Sequence, residues 1–144
     1  MSLMLKSKKG ISPILATLLL IVIAVAAIVV TYAWVLTFTT SQTERAGEFL
    51  SVANLNWSNS SQIVVDVINS GTADSVVLRV YLGTSSTGRV EQTSVTYSPT
   101  SRIVSKDGGV IRITISYSWT SGIRYYFRVL TEAGNNWDHN ERAP

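Results

Sequence analysis

The sequence ISPILATLLLIVIAVAAIVVTYAWVLTFTTSQT occupies residues 11–43 and contains no charged side chain, and Lys8, Lys9 and Gly10 stand directly before it. Residues 11–38 would span roughly 42 Å as a helix, whereas the hydrocarbon core of a bilayer is about 30 Å thick. Because this segment is apolar on every side, it needs an apolar environment all round, either lipid or other helices. The sequence therefore predicts a long N-terminal helix that is able to cross a membrane.

The order of basic and apolar residues differs from that of an ordinary secretory signal. Such a signal has a short apolar core, followed by a polar region that ends at a small-residue cleavage site. Ala24-Val25-Ala26 has the small-x-small form, but Ile28 follows it where polar residues are needed. We therefore expect no cut after Ala26. The alternative is a cut after Gly10, which leaves the apolar segment as the new N-terminus.

The residues KSKKG followed by ISPILATLLLIVIAVAAIVV resemble the class III signal of type IV pilin-like proteins, and most of all that of the archaeal adhesion pilins. In that family a prepilin peptidase cuts after a Gly or Ala that follows basic residues. The resemblance implies processing at Lys8, Lys9, Gly10 and Ile11, with residues 1–10 as a cleaved leader. Bacterial type IV pilins carry Glu at the fifth mature position, where this chain has Leu15, and archaeal pilins commonly lack that Glu.

The charge of the chain depends on these leader residues. The formal net charge is +3, from twelve Lys and Arg residues and nine Asp and Glu residues. Lys6, Lys8 and Lys9 precede Ile11, so nine basic side chains remain against the nine acidic ones. The basic flank follows the positive-inside rule for a membrane segment and does not indicate a nucleic-acid-binding domain. Cysteine is absent, which excludes disulfides and thiolate metal sites.

Small residues within the apolar segment allow a second helix to approach closely. The resemblance implies that residues 11–48 form the core helix of a filament, in which Leu15, Ala16, Ala24 and Ala27 are buried among identical subunits. The apolar run alone fits a single-pass anchor equally well. The basic residues and Gly10 favour the filament, because a permanent anchor has no need of a cut on its cytoplasmic side.

Beyond residue 48 the apolar residues alternate with period two, which is typical of strands. Strands are predicted over residues 63–67, 76–82, 111–119 and 123–129, with Val76, Leu78, Val80 and Leu82 on one face. A turn is predicted at residues 69–72 and a hairpin turn at residues 106–109. Six or seven short strands predict an immunoglobulin-like antiparallel β-sandwich over residues 49–144, so the fold class is α+β. The residues that follow the last of these strands read as a polar tail.

Residue types suited to catalysis are few and scattered. His139 is the single histidine and lies in the predicted polar tail, together with Trp137. The carboxylates fall mostly at predicted strand edges and turns, which are ordinary solvated positions: Asp66, Asp74, Glu91, Asp107 and Glu132. We therefore predict no catalytic, cofactor-binding or metal-binding residue, and a protein that is not an enzyme.

Two surface features have a functional interpretation. Arg124, Tyr126 and Arg128 interleave cations and an aromatic ring on one strand face, with Arg112 expected nearby. Such a face fits single-stranded nucleic acid, but the neutral mature chain favours a solvated face or a subunit contact, and we expect no specific nucleic acid. The second feature is the pair of N-x-S sequences that begin at Asn56 and at Asn59, which are candidate N-glycosylation sites after the first strand.

The expected function is that of a structural subunit of an extracellular, adhesive type IV pilus of archaeal type. Its expected partners are identical subunits in a helical homopolymer, the prepilin peptidase, the assembly ATPase and membrane platform, the membrane before assembly, and external surfaces or other cells. Two alternatives remain open. One is a membrane-anchored extracytoplasmic binding domain, and the other is a subunit of the archaellum filament.

Overall fold

The computed structural model describes residues 11–144, and its fold class is α+β, as the sequence predicts. A long helix is followed by two antiparallel sheets that form an immunoglobulin-like sandwich. The chain divides between Thr40 and Ser41 into two compact units, so the last residues of the helix belong to the unit that contains the sandwich. Lys8, Lys9 and Gly10 lie outside the described residues.

Helix α1 spans Ile11–Gly47, 37 residues, or roughly 55 Å at 1.5 Å per residue. Thr17, Thr31 and Thr37 donate their hydroxyls to backbone carbonyls three or four residues earlier, at 2.7–3.0 Å. These bonds satisfy the hydroxyl groups within the helix itself, so they do not interrupt its apolar surface. Gly47 is the last helical residue.

Nine strands follow within residues 48–144. They are β1 (Leu50–Asn56), β2 (Gln62–Asn69), β3 (Ser75–Gly83), β4 (Val90–Glu91), β5 (Val95–Ser98), β6 (Ile103–Val104), β7 (Gly109–Ser116), β8 (Arg124–Thr131) and β9 (Asn136–Arg142). The first sheet has the order β1-β2-β7-β5, and the second has the order β4-β3-β8-β9, with β6 paired to β3. All of these pairs are antiparallel.

The core lies between the two sheets and consists mainly of residues of the four central strands, together with Leu50, Val104 and Ala143. Each of the central-strand side chains is at most 3% exposed, and they are Ile63, Val65 and Val67 of β2, Ile111, Ile113 and Ile115 of β7, Val77, Val80 and Leu82 of β3, and Tyr125, Phe127 and Val129 of β8. The predicted alternation in β7 and β8 is confirmed over these residues. Tyr117, Trp119 and Ile123 were predicted within strands but lie outside them.

The prediction that four alternate residues of β3 share one face is wrong for the first two. The register against β8 shifts between Val77 and Arg79, which marks a β-bulge. Val77 is consequently buried, whereas Val76 is half-buried and Leu78 is 43% exposed. Val80 follows the bulge and faces the core again.

The predicted hairpin turn at residues 106–109 is a turn that joins the two sheets. Asp107 and Gly108 have φ values of 59° and 97°, so both adopt the left-handed conformation expected of a tight turn. The strands on either side of it, β6 and β7, pair with strands of different sheets. The prediction of a hairpin at this point is therefore wrong.

The predicted polar tail contains strand β9. It pairs with β8 along its whole length, from Arg124 opposite Arg142 to Leu130 opposite Asn136. Trp137 and His139 lie opposite the buried residues of β8 and are half-buried, so His139 is not the exposed tail residue that the sequence predicts.

Candidate functional site

The surface of α1 is the largest apolar feature of the described chain. Every side chain in residues 12–43 is exposed, including Leu20 at 70% and Val30 at 69%. The most apolar stretch has a mean hydropathy of 3.1, and none of it is buried within the described chain. Apolar surface of this extent is unfavourable in water. The helix is long and apolar enough to cross a membrane, and it needs lipid or protein around it.

The residues predicted to pack in a filament core are all accessible on this helix. Leu15 is 60% exposed, and Ala16, Ala24 and Ala27 are also exposed. At 100° per residue, the three alanines fall within roughly 80° of one another around the helix axis. Leu20 projects from the same side between Ala16 and Ala24, so the helix is narrow at the alanines and not along its whole side. We call this the narrow side, and another helix can approach most closely beside the alanines.

Aromatic residues mark the far end of the apolar run. Tyr32 and Trp34 are exposed, and the rings of Trp34 and Phe38 stack with their centroids 5.5 Å apart. Trp and Tyr concentrate at the boundary between the hydrocarbon core and water. About 20 residues precede Tyr32 in α1, which is the length that spans a bilayer core.

A polar cluster fixes the last turn of α1 to the sandwich within the second unit. The carboxylate of Glu48 accepts hydrogen bonds from the Thr131 hydroxyl and the Asn135 amide, both at 2.8 Å. The Asn135 amide also donates to the carbonyl of Arg45 at 2.8 Å. The backbone N–H groups of Thr72 and Ala73 donate to the Gly47 carbonyl at 2.8 and 3.2 Å. Sequence reasoning missed this cluster, because its members are far apart along the chain.

The outer face of the second sheet carries a network of arginines. Arg128 donates through Nε and Nη2 to the two carboxylate oxygens of Asp138, each at 2.6 Å. Arg89 contacts the same carboxylate at 3.2 Å. The hydrogen bonds from Arg128, with a contribution from Arg89, lower the pKa of Asp138. Arg124 donates to the Asn140 side chain at 3.0 Å.

Arg112 is not part of that face, contrary to the expectation from sequence. It lies on β7 in the first sheet and forms a bidentate ion pair with Asp66 of β2. Asp66 is mid-strand and only 9% exposed, so its expected position at a strand edge is also wrong. The predicted row of cations is therefore divided between two sheets, which weakens the interpretation as a nucleic-acid surface.

A groove of about 500 Å³ opens beside Arg128. We call it the arginine groove. It is lined by Tyr81 of β3, by Ser86, Thr87 and Arg89 of the loop between β3 and β4, by Arg128 and Leu130 of β8, and by Asn136 of β9. The loop brings Arg89 to Asp138, 49 positions away in the sequence, so this groove could not be read from the sequence.

The remaining candidate residues from the sequence are His139, the carboxylates and the two asparagines of the N-x-S sequences. His139 lies 3.3 Å from a Glu141 carboxylate oxygen and stacks on Trp137 at 5.6 Å between ring centroids. Within the described residues no group of His, Asp and Glu side chains is arranged to hold a metal ion. Asn56 is the last residue of β1, and Asn59 lies in the following turn with φ of 54°; both are exposed.

No known protein family matches this sequence, and no curated protein matches it. Several solved structures share its fold. The archaellum periplasmic stator protein FlaG from Sulfolobus acidocaldarius matches with a TM-score of 0.56 at 19% identity, over 65% of this chain and 99% of its own. The stator complex of FlaF and FlaG from the same organism matches with a TM-score of 0.54 at 18% identity, over 64% and 87%. The archaeal flagellum of Methanospirillum hungatei matches with a TM-score of 0.56 at 16% identity, over 92% and 91%.

At these identities the likeness is one of fold. The three matches are archaellum proteins and not enzymes. The matches cover different shares of this chain. The residues after Gly47 make up about two-thirds of this chain, so the match to the flagellum, which covers 92%, has to include α1 as well as the sandwich.

Proposed function

We propose that this chain is a structural subunit of an extracellular type IV pilus-like filament, and that α1 forms the filament core. The observation that carries this proposal is the exposure of α1. Its side chains are exposed throughout residues 12–43, with no charge among them. A helix of this kind is stable in a bilayer, and equally stable among identical helices, because both environments are apolar.

Transfer from membrane to filament then exchanges one apolar environment for another, so the packing of helices decides the outcome. Neighbouring subunits would be related head-to-tail. A contact of that type does not close on itself and therefore propagates helically. The narrow side formed by Ala16, Ala24 and Ala27 is where neighbouring helices would approach most closely.

The proposal includes removal of residues 1–10 as a cleaved leader. Cleavage after Gly10 by a prepilin peptidase would remove Lys8 and Lys9 and leave Ile11 as the first residue. The assembly ATPase and its membrane platform would then extract the helix from the membrane. Glycans on Asn56 or Asn59 would add polar bulk to the outer surface of the subunit.

The role we propose for the filament is adhesion to surfaces or to other cells, with the sandwich on the outside. An archaellum filament is the second candidate, and the match that covers 92% of this chain, to an archaeal flagellum, favours it. Deletion of the gene separates the two roles. Loss of attachment with normal swimming supports the pilus, whereas loss of swimming with normal attachment supports the archaellum.

The third candidate is an anchored extracytoplasmic domain, in which α1 stays in the membrane. It is favoured by the match to the periplasmic stator protein FlaG, 99% of which is covered. Electron microscopy of filaments sheared from cells, with intact-mass analysis of their subunit, distinguishes it from the filament. We expect this chain in the sheared filaments, starting at Ile11. Detection of the chain only in the membrane fraction would overturn the filament proposal, whereas Met1 retained in the filament would overturn the proposed cleavage after Gly10.

A further inference from the structure

The arginine groove holds more positive charge than its own carboxylate neutralises. Two guanidinium groups, those of Arg89 and Arg128, share the single carboxylate of Asp138. Arg128 already engages both oxygens of that carboxylate. The groove therefore carries about one uncompensated positive charge.

The uncompensated charge is that of Arg89, whose guanidinium can bind an anionic ligand. Its side chain is only 13% exposed, and its ion pair with Asp138 is made through Nη1. A guanidinium has five N–H donors, so several remain beyond this contact. A planar group of donors in a partly buried position is well suited to a carboxylate or sulfate, which it can bind bidentately.

The rest of the groove has the chemistry of a site for a hydroxyl-rich ligand. Ser86, Thr87 and Asn136 supply groups that both donate and accept hydrogen bonds, and Tyr81 and Leu130 supply apolar surface. The volume of about 500 Å³ lies within the usual range for small-ligand sites. We propose that the arginine groove binds an acidic saccharide unit, that is, one sugar ring that carries a carboxylate or a sulfate.

A nucleic acid fits this groove less well than an acidic sugar. Binding to a polyanion requires a row of cations free to neutralise successive phosphates. On this face Arg124 is bonded to Asn140, and Arg142 donates to the carbonyl of Gly122 at 2.7 Å. Both acceptors are neutral, so Arg124 and Arg142 keep their charges, but neither residue lines the arginine groove. Within the groove the uncompensated charge lies at one point, which matches a ligand with a single anionic group.

This inference rests on the proposed function, in that it names what an adhesive subunit would recognise. The test nevertheless uses the full-length chain dispersed in detergent, so it does not depend on filament formation. Glucuronate, glucose and inorganic sulfate are titrated into the protein by calorimetry. We expect glucuronate to bind at least about tenfold more tightly than either of the others, because only it offers both the anion and the ring hydroxyls.

The variant Arg89→Met removes the available guanidinium and keeps the apolar stem, while Asp138 retains its bidentate partner Arg128. We expect it to weaken glucuronate binding roughly tenfold to hundredfold. Arg102→Met is the matched control, because Arg102 is an exposed arginine outside the groove that lies over the Tyr97 ring. It should bind glucuronate like the unaltered chain. Asn136→Asp places a second carboxylate in the groove and should also weaken binding of glucuronate.

Near-UV circular dichroism identifies any variant that has not folded. If Arg89→Met does not fold, Asn136→Asp provides the test, because position 136 is exposed. Equal binding of glucose and glucuronate, or of sulfate and glucuronate, overturns the proposal. An equal loss in Arg102→Met also overturns it. Tighter binding of a single-stranded DNA oligonucleotide, weakened by Arg124→Met, would assign the whole face to nucleic acid instead. Microscopy of filaments made from Arg89→Met reports on the filament proposal separately.

Discussion

Asp66 and Arg112 face each other across the central strands of the first sheet and form a bidentate ion pair. Arg112 Nε donates to Oδ1 at 2.8 Å, and Nη2 donates to Oδ2 at 3.1 Å. The pair is asymmetric, because the Asp66 side chain is 12% exposed and that of Arg112 is 61% exposed. The carboxylate depends on its partner, whereas the guanidinium has water available.

This asymmetry predicts unequal effects of removing the two partners. Arg112→Met leaves a nearly buried carboxylate without its cation, which is costly. Asp66→Asn leaves only a well-solvated guanidinium and should destabilise the protein less. Urea unfolding of the detergent-dispersed chain, followed by tryptophan fluorescence, measures both. A larger loss for Asp66→Asn than for Arg112→Met would show that the ion pair does not have this role.

The same pair predicts sensitivity to acid. Hydrogen bonds from Arg112 lower the pKa of Asp66, and those from Arg128 lower the pKa of Asp138. The folded state thus binds these protons more weakly than the unfolded chain, whose carboxyl pKa is about 3.9. Their contribution to stability is fully present above that value, and it is lost as the pH falls through the lower folded-state pKa values.

We therefore expect the contribution of these two carboxylates to the free energy of unfolding to be constant at neutral pH and to fall below about pH 4. Arg112→Met should show a shallower fall, because the hydrogen bonds that lower the pKa of Asp66 are then absent. Urea titrations at a series of pH values test this. The same acid dependence in both proteins would contradict the assignment to Asp66.

Asn69 is fully buried and connects three segments of the sandwich. Its Nδ2 donates to the carbonyls of Ala73 and Val104 at 2.8 and 3.0 Å, and its Oδ1 accepts from the Gly71 N–H at 2.9 Å. Asn69→Ala should cost about 1–3 kcal/mol for each buried group left unpaired. The exposed Asn140→Ala is the control and should cost much less in the same unfolding experiment. Equal losses would rule out this role for Asn69.

Gly71 is required by the close approach of two backbone segments. A Cβ at this position would lie 2.0 Å from the Gly47 carbonyl oxygen and 2.6 Å from the Phe49 nitrogen. Gly71→Ala should therefore force the backbone apart and cost about 1–3 kcal/mol or more. At Gly88 the nearest atom is the Ser85 hydroxyl, which can rotate away, so Gly88→Ala should be milder. If the two variants unfold at the same urea concentration, the close approach is not limiting.

The sequence predicts those elements whose side chains alternate strictly between core and solvent. Ile111, Ile113 and Ile115 are an example, since the period of two alone identifies the strand and its buried face. Strand β9 was missed because it is an edge strand with polar residues on its outer face, such as Asn136 and Asp138. Polar residues in a short segment are expected both in a solvated tail and in an exposed edge strand, so the local sequence does not distinguish the two.

Features that depend on distant residues could not be predicted. The bulge in β3 changes which residues face the core without altering the alternating sequence. The arginine groove requires the loop after β3 to bring Arg89 to Asp138, and neither residue is unusual in its local sequence. By contrast, the apolar helix is a local property of residues 11–43, and so its existence followed from the sequence alone.

The filament proposal makes its sharpest prediction about charge within α1. Ala24 and Ala27 are exposed and lie on the narrow side where helices would approach each other. Ala24→Asp or Ala27→Asp should abolish filaments, because a carboxylate at such depth costs about 2.5–3.5 kcal/mol or more on insertion scales. Every subunit would incur that cost, so even a modest penalty should be decisive.

Leu15→Ala is the control: it removes only packing from one side chain and should still assemble. Electron microscopy of sheared material gives the result, with immunoblots of the membrane fraction to confirm that each variant is made. Normal filaments from the Asp variants would mean that α1 is not buried among its neighbours, and would favour the anchored extracytoplasmic domain.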